Sequence, residues 1–261
     1  MPYFFLIPKN HFNLKISVII TTFNEAEHIG AALQSVAWAD EKLVIDSFST
    51  DQTSEIAQKM GAAVLHRKYS GPADQKNWAI PKASHDWVLI LDADERVTPE
   101  LADEIKAVLE KNPSEDAFWI RRQSWFMGRK IRYSGWQNDK VLRLVRRDRC
   151  RYDDKQVHEE IESSGLKVGQ LSAKMEHFTF KNLQHFIDKT QRYARWSAID
   201  HASKTKKVTY FHLFLKPLFR FFQHFILKKG FLDGKSGFLI SVFAAWGVFL
   251  RYAYLLEQKK D

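Results

Sequence analysis

The stretch Lys15-Ile-Ser-Val-Ile-Ile-Thr-Thr-Phe-Asn-Glu25 decides the fold class of this chain of 261 residues. Its first half is a short β-branched apolar run, which predicts a strand buried on both faces, as in a parallel sheet. Polar residues follow at once, and apolar residues then recur at helical spacing from Ala26 to Val36. The next run, Lys42-Leu-Val-Ile-Asp46, predicts a second strand. Together these segments form a β-α-β unit.

The same alternation continues along the chain. Further strands are predicted over 63–66 and 87–92, and further helices begin after Ser49-Thr50-Asp51-Gln-Thr53, near Gln75 and at Thr98-Pro. Four alternations predict an α/β fold, an open and mostly parallel sheet with helices on both faces. Beyond residue 117 the alternating runs 117–121 and 141–145 are predicted to complete the sheet.

Composition limits the compartment and the partners. The only cysteine, Cys150, cannot form an internal disulfide, and Met1-Pro-Tyr-Phe-Phe-Leu-Ile-Pro8 lacks the features of a secretory signal, so we expect a cytoplasmic protein. The net charge of +9 is uneven: residues 1–118 are acidic, whereas 119–155 and 204–261 carry the basic excess. This asymmetry predicts an anionic partner, with a membrane surface or nucleic acid as the candidates.

Three regions are expected from the change in residue composition along the chain. Residues 1–14 form an N-terminal lead, 15–185 a catalytic α/β domain, and 186–261 a helical region rich in basic and aromatic residues. The length suits one catalytic domain with an extension and is too short for two enzymes.

Acidic side chains follow several of the predicted strands at the point where each strand ends. Glu25 comes after the first strand, Asp46 ends the second, and Asp92 and Asp94 end the fourth. Carboxyl ends of neighbouring parallel strands share one crevice, where ligands bind. Clustered carboxylates repel one another unless a cation lies among them, and oxygen ligands suit Mg²⁺ or Mn²⁺. The sequence therefore predicts a divalent metal that neutralises a diphosphate.

Motifs narrow the class of enzyme. No Gly-x-Gly-x-x-Gly follows the first strand and no P-loop is present, which argues against dinucleotide oxidoreductases and P-loop enzymes. Val18-Ile-Ile-Thr-Thr-Phe-Asn-Glu25, Val44-Ile-Asp-Ser-Phe-Ser-Thr-Asp-Gln-Thr53 and Leu89-Ile-Leu-Asp-Ala-Asp94 instead match three motifs in the expected order. In these residues the chain resembles the family 2 glycosyltransferases, which have the GT-A fold.

Three further segments resemble the branch that includes glucosyltransferases of the lipopolysaccharide inner core: Gly71-Pro-Ala-Asp-Gln-Lys-Asn77, Leu142-Arg-Leu-Val-Arg-Arg147 and Val157-His-Glu159. The resemblance covers about residues 15 to 185. In one departure, many relatives have Asp-Asp-Gly-Ser where this chain has Ile45-Asp46-Ser47-Phe48. A second nucleotide-contacting acid is missing, so Asp46 is expected to serve alone.

The resemblance implies a role for each matched residue. Asp94 is the principal metal ligand, Asp92 contacts the ribose or the metal, and His177 is an additional candidate ligand. The metal stabilises charge on the leaving nucleotide. The donor, by resemblance UDP-glucose or a similar nucleotide sugar, is expected to contact seven residues: Thr21, Phe23, Glu25, Asp46, Lys76, Asn77 and Asp92.

An acceptor hydroxyl needs a base within hydrogen-bond reach. Glu159 is the first candidate and Asp139 the second, and attack opposite the leaving diphosphate inverts the anomeric centre, as the family implies. The basic stretch 121–151 surrounds Trp rings that suit a phosphorylated, sugar-bearing acceptor such as a glycolipid or lipopolysaccharide core. The candidate acceptor residues are Trp125, Trp136, Arg143 and His158.

The C-terminal region predicts contact with a membrane. Basic residues recur every four positions from His212 to Lys228 among Phe, Leu and Ile, and Pro217 is a candidate break in that helix. The uncharged run Ser236 to Leu250 has 15 residues, short of the ~20 that span a bilayer. A helix lying in the headgroup region of an anionic membrane is favoured over a core or dimer contact and over insertion. The enzyme is then peripheral on the inner face of the cytoplasmic membrane.

Two other classes of function stay open from sequence alone. One is a non-catalytic module that binds membrane or nucleic acid through its basic aromatic patches. The acidic strand ends argue against nucleic acid, because they repel phosphates unless a metal is bound. The other is a nucleotidyltransferase, although the Gly-rich basic first loop of such enzymes is absent.

Overall fold

The computed structural model describes residues 15–153, 161–180 and 182–258. They divide into two compact units. Unit 1 lies within Met1–Arg121 and Lys140–Met175, and unit 2 within Arg122–Asp139 and Glu176–Asp261. The short segment Arg122–Asp139 thus belongs with the C-terminal helices and not with the segments that flank it in sequence.

Strands and helices alternate through the first part of unit 1, as predicted. The chain then forms three longer strands with few helices between them. In chain order the elements are β1 Ile16–Thr22, α1 Ala26–Ser35, β2 Glu41–Asp46, α2 Thr53–Lys59, β3 Ala63–His66, α3 Pro72–Ala79, β4 Trp87–Asp92, β5 Glu95–Arg96, α4 Pro99–Glu110, β6 Ala117–Phe126, β7 Arg129–Lys130, β8 Lys140–Arg146 and β9 Val168–His177.

The sheet has the order β3-β2-β1-β4-β8-β6-β9-β5, with β7 paired to β6. Strands β3, β2, β1 and β4 are parallel, whereas β8 runs antiparallel to β4 and β6 antiparallel to β8. This arrangement confirms the α/β class, the parallel core and the completing role of 117–121 and 141–145. It also adds β5, β7 and β9, which the sequence patterns did not predict.

Alternate residues of β1 enter two separate cores. Val18 and Ile20 pack with Ile29 and Leu33 of α1 on one face of the sheet. Ile19 packs on the other face with residues such as Ile80, next to α3. Helices therefore cover both faces, which explains why β1 is apolar without alternation.

Unit 2 is mostly helical. Helix α5 spans Leu183–Ala202 and begins at Asn182, whose side chain accepts a hydrogen bond from His185 N. The next helical stretch runs through the π-helical residues Phe211–Leu215, α6 Lys216–Phe222 and the π-helical residues Gln223–Leu227. A short 3₁₀ turn, Gly230–Asp233, then leads into α7, Gly234–Gln258.

Two expectations about this region were wrong. Pro217 does not break the helical stretch, because it lies in the first turn of α6 directly after a π-helical turn, where the hydrogen-bond pattern changes and a residue without an N–H is tolerated. The uncharged run underestimated the last helix, since Lys235 and Arg251 lie inside α7. Within the described part of the chain, Gly230–Gln258 is the one helix long and apolar enough to cross a membrane, by length and composition.

Candidate active site

The carboxyl ends of three neighbouring strands meet at the predicted edge of the sheet in unit 1. Thr22 of β1 is in register with Asp46 of β2, and Thr21 is in register with Asp92 of β4. This register confirms that the polar strand ends lie side by side at one edge of the sheet.

The loops after β1 and β2 are tied together. Asn24 adopts a left-handed backbone with φ 54°. Its N–H donates to Ser49 Oγ (2.8 Å), and its side-chain oxygen accepts from Thr50 N (2.8 Å). Glu25 N donates to Thr53 Oγ1 at 2.8 Å. Asn24 and Glu25 are therefore held in place by the second motif, Ser49 to Thr53.

Asp46 is completely buried at the end of β2. Its carboxylate accepts hydrogen bonds from Ser49 N (2.9 Å) and from the Ser49 hydroxyl, and it lies 3.1 Å from His66 Nδ1. Arg67 N donates to its backbone oxygen at 3.0 Å. The observed partners of Asp46 hold the second motif and the end of β3 around it.

Two phenylalanines are exposed at this edge. Phe23 follows β1 with 56 % exposure, and Phe48 follows β2 with 59 % exposure. Phe48 has φ 62°, a backbone conformation that bulky residues seldom adopt and that is typical of functional loops. Its ring stacks on His66 with centroids 5.7 Å apart. Phe48 was not among the predicted site residues, because only the folded loop shows its exposure.

Asp92 lies among two cations. Its Oδ1 accepts from Thr21 Oγ1 at 3.0 Å and is 3.4 Å from Lys76 Nζ, while its Oδ2 accepts from Arg143. Arg143 also donates to Glu95 Oε1 at 3.0 Å, and Glu95 Oε2 accepts from Asp92 N at 2.9 Å. We call Lys76, Asp92, Glu95 and Arg143 the charge quartet. It contains two cations and two carboxylates and is formally neutral.

Three members of the charge quartet are almost inaccessible to solvent: the side chains of Lys76 and Arg143 are 4 % exposed and that of Glu95 is fully buried. Burial alone would lower the pKa of Arg143, but the carboxylates of Asp92 and Glu95 raise it well above its ordinary value. Sequence analysis grouped Arg143 with the acceptor, whereas its observed partners are Asp92 and Glu95. Glu95 was not predicted, although it follows Asp94 directly.

Asp94 occupies the turn between β4 and β5 and is half-buried. Arg96 ties this turn to α1, because its guanidinium donates to Ala93 O at 2.7 Å and to His28 O at 2.9 Å. Arg96 thus fixes the Asp92-Ala93-Asp94 turn against α1. It too was missed, since nothing in its sequence context distinguishes it from a surface arginine.

Among the described residues, no group of three or more His, Cys, Asp or Glu is arranged to hold a metal ion. Mg²⁺ or Mn²⁺ does not require such a group, because these ions are usually held by one or two carboxylates together with substrate phosphates and water. Asp94 fits the first part of this requirement. The cations around Asp92 would compete with a metal for its oxygens.

Asn77 holds the segment that leads to the predicted base. Its amide nitrogen donates to Tyr152 O (2.9 Å), and its amide oxygen accepts from Tyr152 N (2.8 Å). The Tyr152 ring lies 5.3 Å from Lys76 Nζ, and Tyr152 pairs with Ile161 as an isolated bridge. His158 and Glu159 lie outside the described residues.

The remaining predicted residues belong to unit 2. Asp139 accepts from Arg122 through both oxygens, at 2.9 and 2.8 Å. Trp136 packs on Phe126 in an aromatic core, whereas Trp125 is half-buried and stacks on Phe178 at 5.5 Å. His177 ends β9 and is 8 % exposed. Both tryptophans are half-buried.

Comparison with known proteins places this chain in a family. The sequence model of "Glycosyl transferase family 2" matches residues 17–164, the region that contains the strand ends and the charge quartet. The chain belongs to this family. It is therefore a glycosyltransferase, and its sheet is that of the GT-A fold.

Similarity to whole relatives extends beyond residues 17–164. An uncharacterized glycosyltransferase of Rickettsia felis is 30% identical over 256 residues, covering 93% of this chain and 90% of its own length. The lipopolysaccharide core biosynthesis glycosyltransferase LpsC of Rhizobium meliloti is 26% identical over 259 residues, covering 97% and 94%. The structure of S. aureus TarS 1–349 is 17% identical, with a TM-score of 0.49 and coverage of 95% and 92%.

Proposed function

We propose that this family 2 glycosyltransferase moves a sugar from a nucleotide-diphosphate donor to a glycolipid or lipopolysaccharide-core acceptor, with inversion of the anomeric centre. The observation that carries the proposal is the neutral charge quartet that fixes Asp92 beside Asp94 at the edge of the sheet. LpsC, similar along nearly its whole length, acts in lipopolysaccharide core biosynthesis by its name, which supports this class of acceptor.

The nucleoside part of the donor is proposed to lie at the ends of β1 and β2. Thr21, Phe23 and Glu25 lie at this edge, Phe48 adds a second exposed ring, and the completely buried Asp46 holds the loop after β2 through Ser49. Aromatic faces stack on nucleobases, and a rigid loop lowers the entropy cost of ordering them. UDP-glucose is the proposed donor, on the strength of the family resemblance.

The diphosphate is proposed to lie near Asp94 and Lys76. Asp94 would hold a divalent cation, Mg²⁺ or Mn²⁺, which supplies positive charge for the leaving nucleoside diphosphate. Lys76 adds a fixed cation in a dry environment, where electrostatic stabilisation is larger than in water. Arg143 and Glu95 keep Asp92 from turning away, and Arg96 keeps the turn in place.

For the base we retain Glu159 as the proposal. Asp139 is less suited, because both of its oxygens accept from Arg122 and would have to leave that pair to take a proton. Asn77 is proposed to act through Tyr152, at the start of the segment that contains Glu159. Replacing Glu159 with Gln is expected to abolish transfer, whereas Asp139→Asn is expected to leave most of it.

The acceptor is proposed to be presented from an anionic membrane surface. Trp125, half-buried with Lys130 Nζ 5.1 Å from its ring, suits a sugar that carries phosphate. His158 and Trp136 stay candidates from sequence, as does His177 for the metal. The enzyme would then work on the cytoplasmic face of the membrane, where nucleotide sugars are available.

The decisive experiment measures transfer and hydrolysis for a panel of nucleotide sugars with Mg²⁺, Mn²⁺ or chelator, in the presence of acceptor-bearing membrane extract. Asp94→Asn is compared with Asp103→Asn, a matched change at an acid with an 81%-exposed side chain. Turnover of one donor that chelator and Asp94→Asn both abolish, and that Asp103→Asn retains, supports the proposal. Turnover that survives chelator and Asp94→Asn refutes the metal role, and no turnover of any donor refutes the assignment of donor and acceptor.

A further inference from the structure

The helical stretch 210–227 of unit 2 has two different faces. The inner face packs on α7: Lys216 Nζ donates to Tyr252 OH at 2.7 Å, and the rings of Phe221 and Phe225 lie 5.7 and 5.8 Å from the ring of Phe238. These contacts fix which side of the stretch points away from α7.

The outer face is apolar and exposed. Six large side chains along it are each more than half exposed. Single exposed apolar residues are common on protein surfaces, whereas a contiguous set of six indicates an interaction surface. We call this set the apolar face: Phe211, Phe214, Leu215, Leu218, Phe219 and Phe222.

The first of the two π-helical turns lies within the apolar face and helps to keep it on one side. Its residues recur in steps of four, and in a regular α-helix four residues rotate about 40° beyond a full turn, so the face would drift around the helix. A π-helix turns less per residue, and Phe211–Leu215 and Gln223–Leu227 are π-helical. The unwinding compensates the drift. The basic residues with the same spacing, such as Lys216 and His224, accordingly stay half-buried on the other side.

The charged side chains in the sequence interval that contains the apolar face are all positive. Between Asp200 and Asp233 the sequence contains no Asp or Glu. Four lysines in this interval are exposed, Lys204, Lys206 and Lys207 before the stretch and Lys229 after it. Exposed aromatic and aliphatic side chains bordered by lysines are what an amphipathic helix presents to anionic lipid headgroups.

We propose that the apolar face docks into the headgroup region of an anionic bilayer, with the stretch 210–227 lying parallel to the membrane. The inference rests on the membrane-surface part of the proposed function and names the surface that performs it. It commits to lipid as the occupant, because apolar side chains and lysines with no acid among them match lipid better than a protein surface of mixed charge.

Helix α7 is long enough to span a bilayer, but its neighbours argue for a parallel position. Its Phe243 ring lies 4.8 Å from Phe186 of α5, and Arg195 of α5 lies over the Tyr254 ring at 5.0 Å. Helix α5 also carries Asp188, Lys189, Arg192 and Asp200. A spanning α7 would bring these charges into hydrocarbon, which excludes them unless they are paired or solvated.

The test measures binding of the full chain to phosphatidylcholine vesicles with and without phosphatidylglycerol, in the absence of donor and acceptor. Binding is expected only to the anionic vesicles. Phe214→Glu and Phe219→Glu are each expected to weaken it at least about tenfold, the value of one buried aromatic side chain. Lys204→Gln, Lys207→Gln and Lys229→Gln are each expected to weaken it about fivefold. The matched control is Ile199→Glu on α5, 62 % exposed and outside the apolar face.

Equal losses for Ile199→Glu and Phe219→Glu, or equal binding to neutral vesicles, overturn the inference. Wild-type protein that transfers sugar to a detergent-solubilised acceptor but binds no vesicles also overturns it, and in that case the proposed transfer reaction stands without its membrane-surface part. If the wild-type protein binds anionic vesicles but transfers no sugar, the docking inference stands and the proposed function fails.

Depth in the membrane separates docking from spanning. A nitroxide attached through Phe219→Cys reports its depth, because Cys150 is buried and burial raises the pKa of its thiol to about 11, which keeps it unreactive. The label is expected at headgroup depth, and a label at Ile199→Cys is expected in water. A Phe219 label at the bilayer centre, or protein that resists alkaline extraction, overturns the parallel position.

Discussion

Arg143 and Glu95 form a buried ion pair, 3.0 Å from Nη2 to Oε1, and both also bind Asp92. Arg143 bonds the Asp92 side chain, and Glu95 bonds its backbone N–H. The pair therefore fixes the conformation of Asp92 from two directions. A carboxylate at the end of a strand that is held this firmly keeps its place when a diphosphate arrives.

Removing Arg143 is expected to cost more stability than any surface ion pair. Arg143→Met leaves Glu95 buried without its cation, which typically costs about 3–5 kcal/mol. Lys59→Met, the control, removes an exposed pair with Glu55 and is expected to change the free energy of unfolding very little. Urea unfolding followed by circular dichroism measures both changes, and equal midpoints for the two variants would show that the pair is not buried in solution.

Asp92 and Asp94 are expected to fail in different ways. Asp92→Asn removes the charge that balances Lys76 and Arg143, so it should lower the free energy of unfolding as well as activity. Asp94→Asn should lower kcat at least about 100-fold and raise the metal concentration that the enzyme requires. Thermal unfolding and metal titration of activity on the same samples distinguish them. A stable, active Asp94→Asn enzyme would contradict the metal role.

The position of the site was predictable from local patterns, but its internal contacts were not. Parallel strands bring their carboxyl ends to one edge, so the register of Thr22 with Asp46 and of Thr21 with Asp92 follows from the βα alternation. Arg143 reaches Asp92 across 51 residues, because β8 joins the sheet next to β4. No local pattern encodes that neighbour, which explains why Arg143 was grouped with the acceptor.

The C-terminal helices show a second limit. A pattern that repeats every four residues fits neither an α-helix nor a π-helix alone, so sequence alone left the direction of the basic stripe undecided. The π-helical turns around α6 turn that stripe inward, to Tyr252 and Ser134, and leave the apolar side outward. The length of α7 was also underestimated from sequence. Charged residues lie near both of its ends, where long side chains can be accommodated within a helix.

Gly237 is expected to tolerate no side chain. A Cβ at this position of α7 would lie 1.9 Å from the backbone oxygen of Gly230, so Gly237→Ala must displace the turn before α7. We expect a loss of at least about 2 kcal/mol, the scale of overpacking in a rigid site. In Gly30→Ala of α1 the new Cβ has ordinary 3.7 Å contacts with the side chains of Ile56 and Met60, and helix propensity should raise stability by up to about 1 kcal/mol. The unfolding midpoints of the two variants should therefore shift in opposite directions from that of the wild type.

His224 should make unit 2 sensitive to acid. Burial, with Lys228 and Arg220 nearby, lowers the pKa of His224 to about 4, against about 6.5 in an unfolded chain. The unfolded state therefore binds the proton more readily, so the stabilising contribution is complete above pH ~6.5 and is lost as the pH falls towards ~4. Allowing for partial exposure, we expect a loss of about 1–2 kcal/mol. The residue's Nδ1 lies 3.0 Å from Ser134 O, a contact that a Gln side chain can replace. His224→Gln should accordingly flatten the change in unfolding free energy between pH 7 and pH 5, and an unchanged slope in that variant would assign the acid sensitivity to other groups.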